Sequence, residues 1–370
     1  MPLTRRQFLS ATAAAFAGGA LGLYVASRSS LKGVLLSAYE DVRGQQFIGG
    51  LNLATLRPFG APIPVRAHGC DADPRDPHRV LFFARRPGVE AFELHIDSGA
   101  VRTAFATPAG RHLAGHGLFS RDGQWLYTPE HDYEQARGVI SVRDTRDFRI
   151  VAELSSGGLD PHEVVWLGED LLVANGGIMT HPSSYRRKLN IPTMDPSLCR
   201  LEATSGRCIE QLRLPDHLLS IRHLSVVSPE HAVAGLQYEG DAQRAPGLVA
   251  AYRKGRGFAL LPTPAAELQR SNGYIASVLA DAKRNRVLAA CPRGTGVATW
   301  RLDTGEFVGT IEAVEAYGLS QTPDGLPCAS QRDGTALAIE HDAARHLAVS
   351  DRIRWDDHWR FHEDAITVAA

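Results

Sequence analysis

One aromatic position recurs along the chain as the first residue of a short apolar run, and it is histidine at five of seven occurrences. The seven residues are His68, His116, His162, His223, Tyr274, Tyr317 and His358. Imidazole nitrogen binds zinc, copper, iron and nickel, and phenolate oxygen is a ligand for ferric iron. If the fold brings these side chains together, three histidines could hold one transition metal ion, iron or copper, with Glu163 or a water completing the coordination.

Consecutive members of this set are 41 to 61 residues apart, which matches the repeat length of the four-stranded blades of a β-propeller. Each apolar run would then be the innermost strand of a blade, and the seven side chains would form a ring at one mouth of the central channel. The segment from His116 shows the pattern most clearly, because an Asp122-Gly123 turn separates two apolar runs. Short strands with frequent turns exclude a helical solenoid and disfavour a βαβ fold.

The two ends of the chain are predicted to share one blade. His358 starts a final strand, Trp359-Arg360-Phe361, with no room after it for three more strands. The missing strands are expected at 33–39, at 46–50 and near 63–65. We therefore predict an all-β fold, a seven-bladed β-propeller with one blade closed by both termini and no open sheet edge. Residues 31–370 are predicted to form this single domain.

The recurrence also has an architectural explanation. Propellers of the WD class carry a histidine near the inner strand for a hydrogen-bond network, and a repeated residue often reflects repeated structure. Two observations argue against this explanation here. Histidine alternates with tyrosine at the ring position, and no Trp-Asp dipeptide recurs at a fixed place in each blade. A ligand-binding ring is therefore the favoured interpretation.

An insertion at 178–197 accounts for the longest step between ring positions. Its prolines and apolar residues suggest a packed lid, and its basic run offers Arg186 and Arg187 as ligand contacts, with a solvated surface run as the alternative. His181 in this loop, and His112 elsewhere, could reach the ring if their loops fold over the same mouth. A second polar cluster could include Glu130, His131, Asp132 and Asp144, although an exposed hairpin loop is the favoured interpretation of this stretch.

The N-terminus is similar to a twin-arginine export signal. Thr4-Arg5-Arg6-Gln7-Phe8-Leu9 precedes an uncharged, weakly hydrophobic stretch rich in alanine and glycine. Residues 1–30 are therefore predicted to direct the protein to the periplasm, with no transmembrane domain after signal removal. Because no clean Ala-x-Ala cleavage site is present, a retained N-terminal anchor is the alternative.

The five cysteines include no Cys-x-x-Cys pair, which excludes a zinc knuckle and a covalent c-type haem site. Cys199 and Cys208 flank a predicted hairpin turn at 204–206, and in an oxidising compartment they are candidates for a disulfide. The alternative is that all five are small buried side chains.

Composition and missing motifs exclude several functions. The formal charge of −1 argues against nucleic acid as a partner. His-Glu-x-x-His, Gly-x-Ser-x-Gly and the phosphate-binding Gly-x-x-x-x-Gly-Lys motif are absent from the sequence, which removes the common metalloprotease, serine hydrolase and nucleotide-binding hypotheses. A calcium-dependent propeller hydrolase would need oxygen ligands around the channel, whereas this ring offers mostly nitrogen.

Several motifs resemble a family of exported bacterial β-propellers that is classed as a domain of unknown function. They are Gly115-His116-Gly117-Leu118-Phe119-Ser120, Gly138-Val139-Ile140, Asn175-Gly176-Gly177-Ile178, Thr180-His181-Pro182, Lys188-Leu189-Asn190 and Pro196-Ser197-Leu198. The resemblance implies a twin-arginine leader, a fold related to the quinoprotein amine dehydrogenase (YVTN-like) propellers, and genes beside those of imelysin-type iron-regulated proteins. It implies no activity. One departure is His131, which stands where asparagine is expected.

Three functions remain open from the sequence. The first is a periplasmic binding or accessory protein, a monomer that holds a metal or metal complex at the ring and works with iron-uptake proteins. The second is a metal-dependent oxidoreductase or hydrolase that uses the same face. The third is a protein-interaction scaffold.

Overall fold

The computed structural model describes residues 32–185, 187–294, 296–322, 324–355 and 357–362. Within these ranges the strands form seven antiparallel sheets, which are the blades of a seven-bladed β-propeller. The predicted signal segment, residues 1–30, lies outside the described residues, so its prediction stays a prediction. None of the helices in the described part of the chain is long and apolar enough to cross a membrane.

The strands follow one another blade by blade. The first blade contains β1 (Val34–Asp41), β2 (Gln46–Asn52) and β3 (Arg57–Ile63). The second contains β4 (Ala67–Asp73), β5 (Asp76–Ala84), β6 (Glu90–His95) and β7 (Ala100–Ala106). The third contains β8 (Arg111–Leu113), β9 (Leu118–Phe119), β10 (Trp125–Asp132), β11 (Arg137–Asp144) and β12 (Ile150–Ser155). The fourth contains β13 (Pro161–Leu167), β14 (Asp170–Asn175), β15 (Ser197–Glu202) and β16 (Cys208–Leu212).

The remaining blades have the same plan. The fifth contains β17 (Leu219–Ser228), β18 (His231–Tyr238), β19 (Val249–Arg253) and β20 (Gly257–Leu260). Helix α1 (Ala265–Ser271) leads to the sixth, with β21 (Ser277–Asp281), β22 (Arg286–Cys291), β23 (Gly296–Arg301) and β24 (Phe307–Glu312). The seventh contains β25 (Ala316–Gln321), β26 (Pro327–Gln331), β27 (Thr335–Glu340) and β28 (Ala343–Val349). The last strands are β29 (Ile353–Arg354) and β30 (Arg360–His362). Short 3₁₀ turns occupy Pro182–Ser184, Ile191–Thr193, Ala242–Arg244 and Ala282–Arg284.

The first blade joins the two ends of the chain, as predicted. Strand β1 pairs with β29, where Glu40 lies opposite Arg354, and with β30, where Val34 lies opposite His362. Its other edge pairs with β2, which pairs with β3. The C-terminal segment therefore supplies the inner strands of the first blade, and this pairing closes the propeller.

The core lies between neighbouring blades. In β5 the consecutive residues Phe82 and Phe83 are both fully buried, which means that both faces of this strand are covered. The outermost strand of the same blade, β7, is largely exposed. This gradient follows from the architecture, because each blade packs its faces against two neighbours and turns only its outer edge to solvent. The innermost strands are thus held rigidly around the axis.

The insertion at 178–197 is ordered against the fourth blade. The side chain of Asn190 accepts a hydrogen bond from Met179 N at 2.6 Å and donates one to Gly177 O at 2.9 Å. Met194 is buried, whereas Tyr185 remains exposed. The Asn190 side chain therefore joins the second half of the loop to the residues at which the loop begins.

The disulfide expected between Cys199 and Cys208 is not formed. All five cysteines belong to the described part of the chain, and all are free. In the β15–β16 pair, Cys199 lies opposite Gln211 and Cys208 lies opposite Leu201, with a bulge between. The alternative of five small buried side chains is correct for Cys199, Cys291 and Cys328, whereas Cys70 is only partly buried and Cys208 is exposed.

Candidate metal centre

Five histidines from five blades come together on the axis. His68 and His162 are second residues of the innermost strands β4 and β13, and His223 lies within β17. His116 precedes β9 and His358 precedes β30. Their ring centroids are separated by as little as 4.2 Å, for His223 and His358, and by 6.1 Å for His68 and His223. The recurrence in the sequence therefore becomes a compact cluster, which we call the five-histidine cluster.

The cluster contains groups of ligand atoms close enough to share one ion. Atoms within 4.8 Å of one another are offered by His68, His116 and His358, by His68, His162 and His223, and by His116, Glu163 and His223. The Nε2 atoms of His68 and His358 lie 3.2 Å apart. Two imidazole nitrogens that bind one tetrahedral ion at about 2.0–2.1 Å are separated by about 3.3 Å. At this distance His358 Nε2 donates a hydrogen bond to His68 Nε2, and the same spacing suits two ligands on one metal that replaces the shared proton.

A carboxylate fixes the orientation of His68. Its Nδ1 donates to Asp357 Oδ1 at 2.6 Å, and Arg66 Nε donates to Asp357 Oδ2 at 3.0 Å. Because the proton is on Nδ1, the lone pair of Nε2 points into the cluster. A carboxylate behind a histidine is the usual arrangement in protein metal sites, where it sets the tautomer and raises ligand basicity.

His162 has the opposite tautomer to His68. Arg222 Nη1 lies 3.3 Å from His162 Nδ1, and a guanidinium can only donate. Nδ1 must then accept, and the neutral ring carries its proton on Nε2. While this hydrogen bond holds, His162 presents an N–H group through Nε2 rather than a lone pair. The triad of His68, His116 and His358 is therefore the best candidate ligand set.

Glu163 lies between two of the histidines. Its Oε2 accepts from Leu224 N at 2.9 Å, and its Oε1 lies 3.8 Å from His116 Nδ1. Oε2 is also 3.6 Å from His223 Nδ1. Burial raises the pKa of this carboxyl, while the neighbouring His116 opposes that shift. It is placed to orient His116 or to supply an oxygen ligand.

Two buried nitrogens of the cluster have no hydrogen-bond partner within the described residues. They are His116 Nε2 and His223 Nδ1. A buried polar atom left without a partner costs about 1–3 kcal/mol. A bound ligand that accepts or shares these lone pairs would remove that cost.

All five histidines are held in the neutral form by burial. Burial lowers the pKa of His116 to about 4, although Glu163 opposes this shift, and burial together with Arg222 lowers the pKa of His223 to about 3. The pKa values of His68, His162 and His358 also lie well below the usual value, chiefly through burial. Neutral rings at pH 7 keep lone pairs available for metal binding.

Two glycines allow the rings to approach. A Cβ atom on Gly69 would lie 2.7 Å from His116 Nδ1. A Cβ atom on Gly115 would lie 2.9 Å from His68 Cβ, and Gly115 also has a φ of +107°. Any side chain at these positions would displace a histidine of the cluster.

The cluster lies between two cavities. His68, His162 and His223 line one of about 320 Å³, together with Arg85, Arg86, Ala114, Asp160, Lys188, Arg222, Gln237 and Tyr274; we call it the upper cavity. His116, His223, His358 and Glu163 line another of about 140 Å³ with Arg360, the lower cavity. A ligand can therefore approach the histidines from either side.

The two tyrosines of the predicted ring line the cavities beside the histidines. Tyr274 lines the upper cavity and also a neighbouring side cavity of about 320 Å³, which we define by Arg66, Arg85, Gln237, Tyr274, Pro292, Arg293, Tyr317 and Arg332. Tyr317 lines the side cavity, and the Arg293 guanidinium lies 4.9 Å from the centre of the Tyr274 ring.

His112 and His131 form a separate stacked pair. Their ring centroids are 4.4 Å apart, and His112 also stacks on Tyr133 at 5.9 Å. His131 Nε2 lies 3.0 Å from Asp160 Oδ1. Asp160 in turn lies 3.3 Å from Arg222, which contacts His162. A chain of polar contacts through Asp160 and Arg222 therefore links this pair to His162 of the five-histidine cluster.

The preferred interpretation of Glu130, His131 and Asp132 as an exposed hairpin loop is wrong. They end strand β10, and all three are buried because β8 covers them on one edge and β11 on the other. Glu130 Oε1 accepts from Arg143 at 2.7 Å, and Asp132 Oδ2 accepts from Arg137 at 3.0 Å. These two carboxylates are paired within the blade and are not at the cluster.

Of the loop residues proposed as ligand contacts, His181 and Arg187 do not line either cavity at the cluster. His181 Nδ1 is bonded to Ser183 Oγ at 2.6 Å, and its ring packs edge-on against Tyr133 at 5.0 Å. Arg187 is exposed, and Arg186 lies outside the described residues. Lys188, which belongs to the same basic run but was not proposed as a ligand contact, lines the upper cavity and pairs with Glu239.

Several charged residues around the cluster were missed from the sequence. Asp160, Arg222 and Asp357 all stand within two residues of a ring histidine. These residues could therefore have been identified from the sequence as ionisable neighbours of the ring histidines. Arg85 and Arg86 follow β5 and have no such neighbour in sequence.

Similar structures share the fold at low identity. Hydrazine synthase of Kuenenia stuttgartiensis has a TM-score of 0.58 and 15% identity, covering 85% of this chain and 97% of that chain. The WD40 β-propeller domain of Doa1 has a TM-score of 0.52 and 11% identity over 79% and 87% of the two chains. A chain of the mitotic checkpoint complex has a TM-score of 0.54 and 12% identity over 76% of each. These likenesses show the fold alone.

No curated protein matches the chain in sequence. Residues 61–362 match the model of a family described as "Protein of unknown function (DUF1513)". This range begins near the end of β3 and ends with β30, and it includes every histidine of the cluster. The chain belongs to this family of unknown function.

Proposed function

We propose that the protein binds a transition metal ion, iron or copper, or a small complex of such an ion, at His68, His116 and His358. Its role is that of a periplasmic binding or accessory protein, and its partners are proteins of iron uptake. The periplasmic location rests on the twin-arginine motif, and the partners rest on the family resemblance. The metal site rests on the five-histidine cluster.

The observation that carries the proposal is the convergence of neutral imidazole nitrogens on one point, one of them without a hydrogen-bond partner among the described residues. His68 and His358 have the spacing of two ligands, and Asp357 directs the His68 lone pair into the cluster. His116 Nε2 is buried without a partner among the described residues. A hydrogen-bond network of purely architectural purpose would satisfy this nitrogen.

The donor set determines the class of metal. Imidazole nitrogens favour copper, zinc, iron and nickel over calcium and magnesium, which prefer oxygen. Glu163 and His223 lie beside the triad and are placed to complete a higher coordination number. Nickel and zinc are competitors that the experiment must include, because affinity rises towards copper for most nitrogen sites.

The test is metal titration of the folded, metal-free protein by calorimetry, with Fe²⁺ under nitrogen and with Cu²⁺, Ni²⁺ and Zn²⁺ in parallel. We expect one ion per chain for the wild type and loss of that binding in the triple variant His68→Ala, His116→Ala, His358→Ala. His217→Ala is the matched control, because His217 is exposed.

Equal, weak binding by the wild type and the triple variant would overturn the proposal, provided that circular dichroism shows both to be folded. Tight binding that is lost equally in His217→Ala would place the metal on surface histidines and would also overturn it.

A further inference from the structure

We propose that the upper and side cavities together form a binding site for a small polycarboxylate anion, held by Arg85, Gln237 and Tyr274. This site is independent of a metal and goes beyond the function proposed above.

The three residues stand at the junction of the two cavities, because each of them lines both. They come from different blades: Arg85 follows β5, Gln237 lies in β18, and Tyr274 precedes β21. Gln237 and Tyr274 are joined by a backbone bridge, which fixes their separation. The junction is thus built on the rigid inner part of the propeller.

The polar ends of these side chains are uncommitted. Among the described residues, no side-chain hydrogen bond or ion pair involves the Arg85 guanidinium, the Gln237 amide or the Tyr274 hydroxyl. All three groups can donate hydrogen bonds, and a guanidinium matches the two oxygens of a carboxylate. Uncommitted donors from three blades at one point are suited to an anionic oxygen ligand.

The surrounding charge is positive. The side cavity is lined by Arg66, Arg85, Arg293 and Arg332, and its lining, as far as the structure describes it, contains no acidic residue. The upper cavity adds Arg86, Lys188 and Arg222 against a single carboxylate, Asp160. A cavity lined by one sign of charge concentrates the field on a ligand of opposite charge.

Several of these cations are already neutralised by the protein. Arg86 donates to Asp160 at 2.8 Å, and Arg222 lies 3.3 Å from the same carboxylate. Lys188 pairs with Glu239, and Arg66 of the side cavity pairs with Asp357. Among the described residues, no ion pair compensates the charge of Arg85, which lies where the cavities meet.

Arg293 and Arg332 extend the positive charge into the side cavity. Arg293 lies over the Tyr274 ring, and within the described part of the chain its guanidinium donates only to the carbonyl of Asn272, at 3.4 Å. Arg332 reaches Glu315 only at 4.0 Å, and both of these side chains are about half exposed. This ion pair is weak and leaves Arg332 available to a ligand.

The shape of the space favours an extended anion. Two adjoining cavities of about 320 Å³ each carry cationic side chains on both sides of Arg85. A compact tetrahedral oxyanion would contact only one of these groups of cations. A di- or tricarboxylate can place one carboxylate at Arg85 and another towards Arg293. In the upper cavity it would lie against His68, His162 and His223.

The test is calorimetric titration of metal-free protein with citrate, succinate and inorganic phosphate. The metal is stripped with phenanthroline, a neutral chelator, so that no carboxylate is introduced. We expect citrate to bind more tightly than succinate, and phosphate to bind at least about tenfold more weakly than citrate. Arg85→Ala should weaken citrate binding at least about tenfold, and Gln237→Ala should weaken it several-fold.

Arg43→Ala is the matched control, because Arg43 is an exposed arginine on the hairpin between β1 and β2. It should bind citrate like the wild type. The double variant His116→Ala, His358→Ala should retain citrate binding, because neither histidine lines the upper or the side cavity. This result would separate the anion site from the metal site.

Absence of citrate binding by the wild type would overturn the inference, as would equal affinity in Arg85→Ala or binding of phosphate as tight as that of citrate. None of these results would bear on metal binding by the histidines. If Arg85→Ala fails to fold, Gln237→Ala and Arg85→Lys provide the same comparison.

Discussion

The Nε2 atoms of His68 and His358 lie 3.2 Å apart, although the two residues are 290 positions apart in the chain. His68 belongs to the second blade, and His358 precedes the C-terminal strand that completes the first. The contact between them therefore forms only when the propeller closes. A ligand shared by these two nitrogens would bind the closed ring and stabilise it.

The first prediction follows from this coupling. A metal that binds only the folded state stabilises it by about 2.7 kcal/mol when its concentration is 100 times the dissociation constant. We expect Cu²⁺ or Fe²⁺ to raise the thermal midpoint of the wild type by several degrees and to leave His358→Ala unchanged. Differential scanning fluorimetry with and without metal measures the shift. An equal shift in His358→Ala would contradict the coupling.

Asp357→Asn is predicted to weaken metal binding without removing a ligand. The amide cannot replace the charge that holds the His68 Nδ1 proton, and Arg66 loses its ionic partner. Carboxylates behind metal-bound histidines typically contribute about 10- to 100-fold in affinity. Titration of the variant should show a loss in this range with unchanged stoichiometry. A loss of stoichiometry, or no change in affinity, would show that Asp357 does not orient a ligand.

Gly69→Ala is predicted to disturb the five-histidine cluster by steric displacement of a ring, without removing any ligand. The new Cβ would lie 2.7 Å from His116 Nδ1, so the ring must move. We expect weaker metal binding and a lower thermal midpoint. Gly309→Ala is the control, because a Cβ there meets nothing within 4 Å. The interpretation fails if both variants bind metal like the wild type.

The convergence of the histidines could be predicted from the sequence, because they recur at the length of one blade and lie in or next to innermost strands. Their neighbours were harder to predict. Arg85 and Lys188 come from the end of a second strand and from a loop, whose directions depend on tertiary packing. The sequence contains no periodic pattern from which the directions of these two side chains could be predicted.

The two incorrect predictions, an exposed loop at His131 and a disulfide between Cys199 and Cys208, have a similar cause. The sequence predicts an exposed loop at His131, but β10 continues to Asp132. Its far edge pairs with β8, where His131 lies opposite His112. Cys199 and Cys208 have a spacing suited to a hairpin, but the bulge after Arg200 puts neither opposite the other. Pairing on a second edge and local register are set by the assembled blade rather than by local sequence.

Acid is predicted to destabilise the protein partly through His112. Burial, and then the neighbouring His131, lower its pKa to about 3, against an ordinary value of 6.5. Between these values the unfolded chain binds the proton and the folded one does not, so stability falls as pH decreases from 6.5 towards 3. The contribution is about 2 kcal/mol between pH 7 and pH 5.

His112→Phe keeps a ring against His131 and removes the titration. Urea unfolding of metal-free protein at pH 7 and pH 5 should show that this variant loses about 2 kcal/mol less than the wild type over that interval. An identical pH dependence in the two proteins would show that His112 titrates normally.

Two histidines of the five-histidine cluster, His116 and His162, are predicted to contribute unequally to metal affinity. His116 has a buried Nε2 without a partner in the described part of the chain, whereas His162 Nδ1 is occupied by Arg222. His116→Ala should therefore weaken metal binding by about tenfold or more, and His162→Ala by clearly less. Calorimetric titration of both variants against the same metal measures the difference. If His162→Ala causes the larger loss, the ligands are His68, His162 and His223, and Arg222 must release His162 when the metal binds.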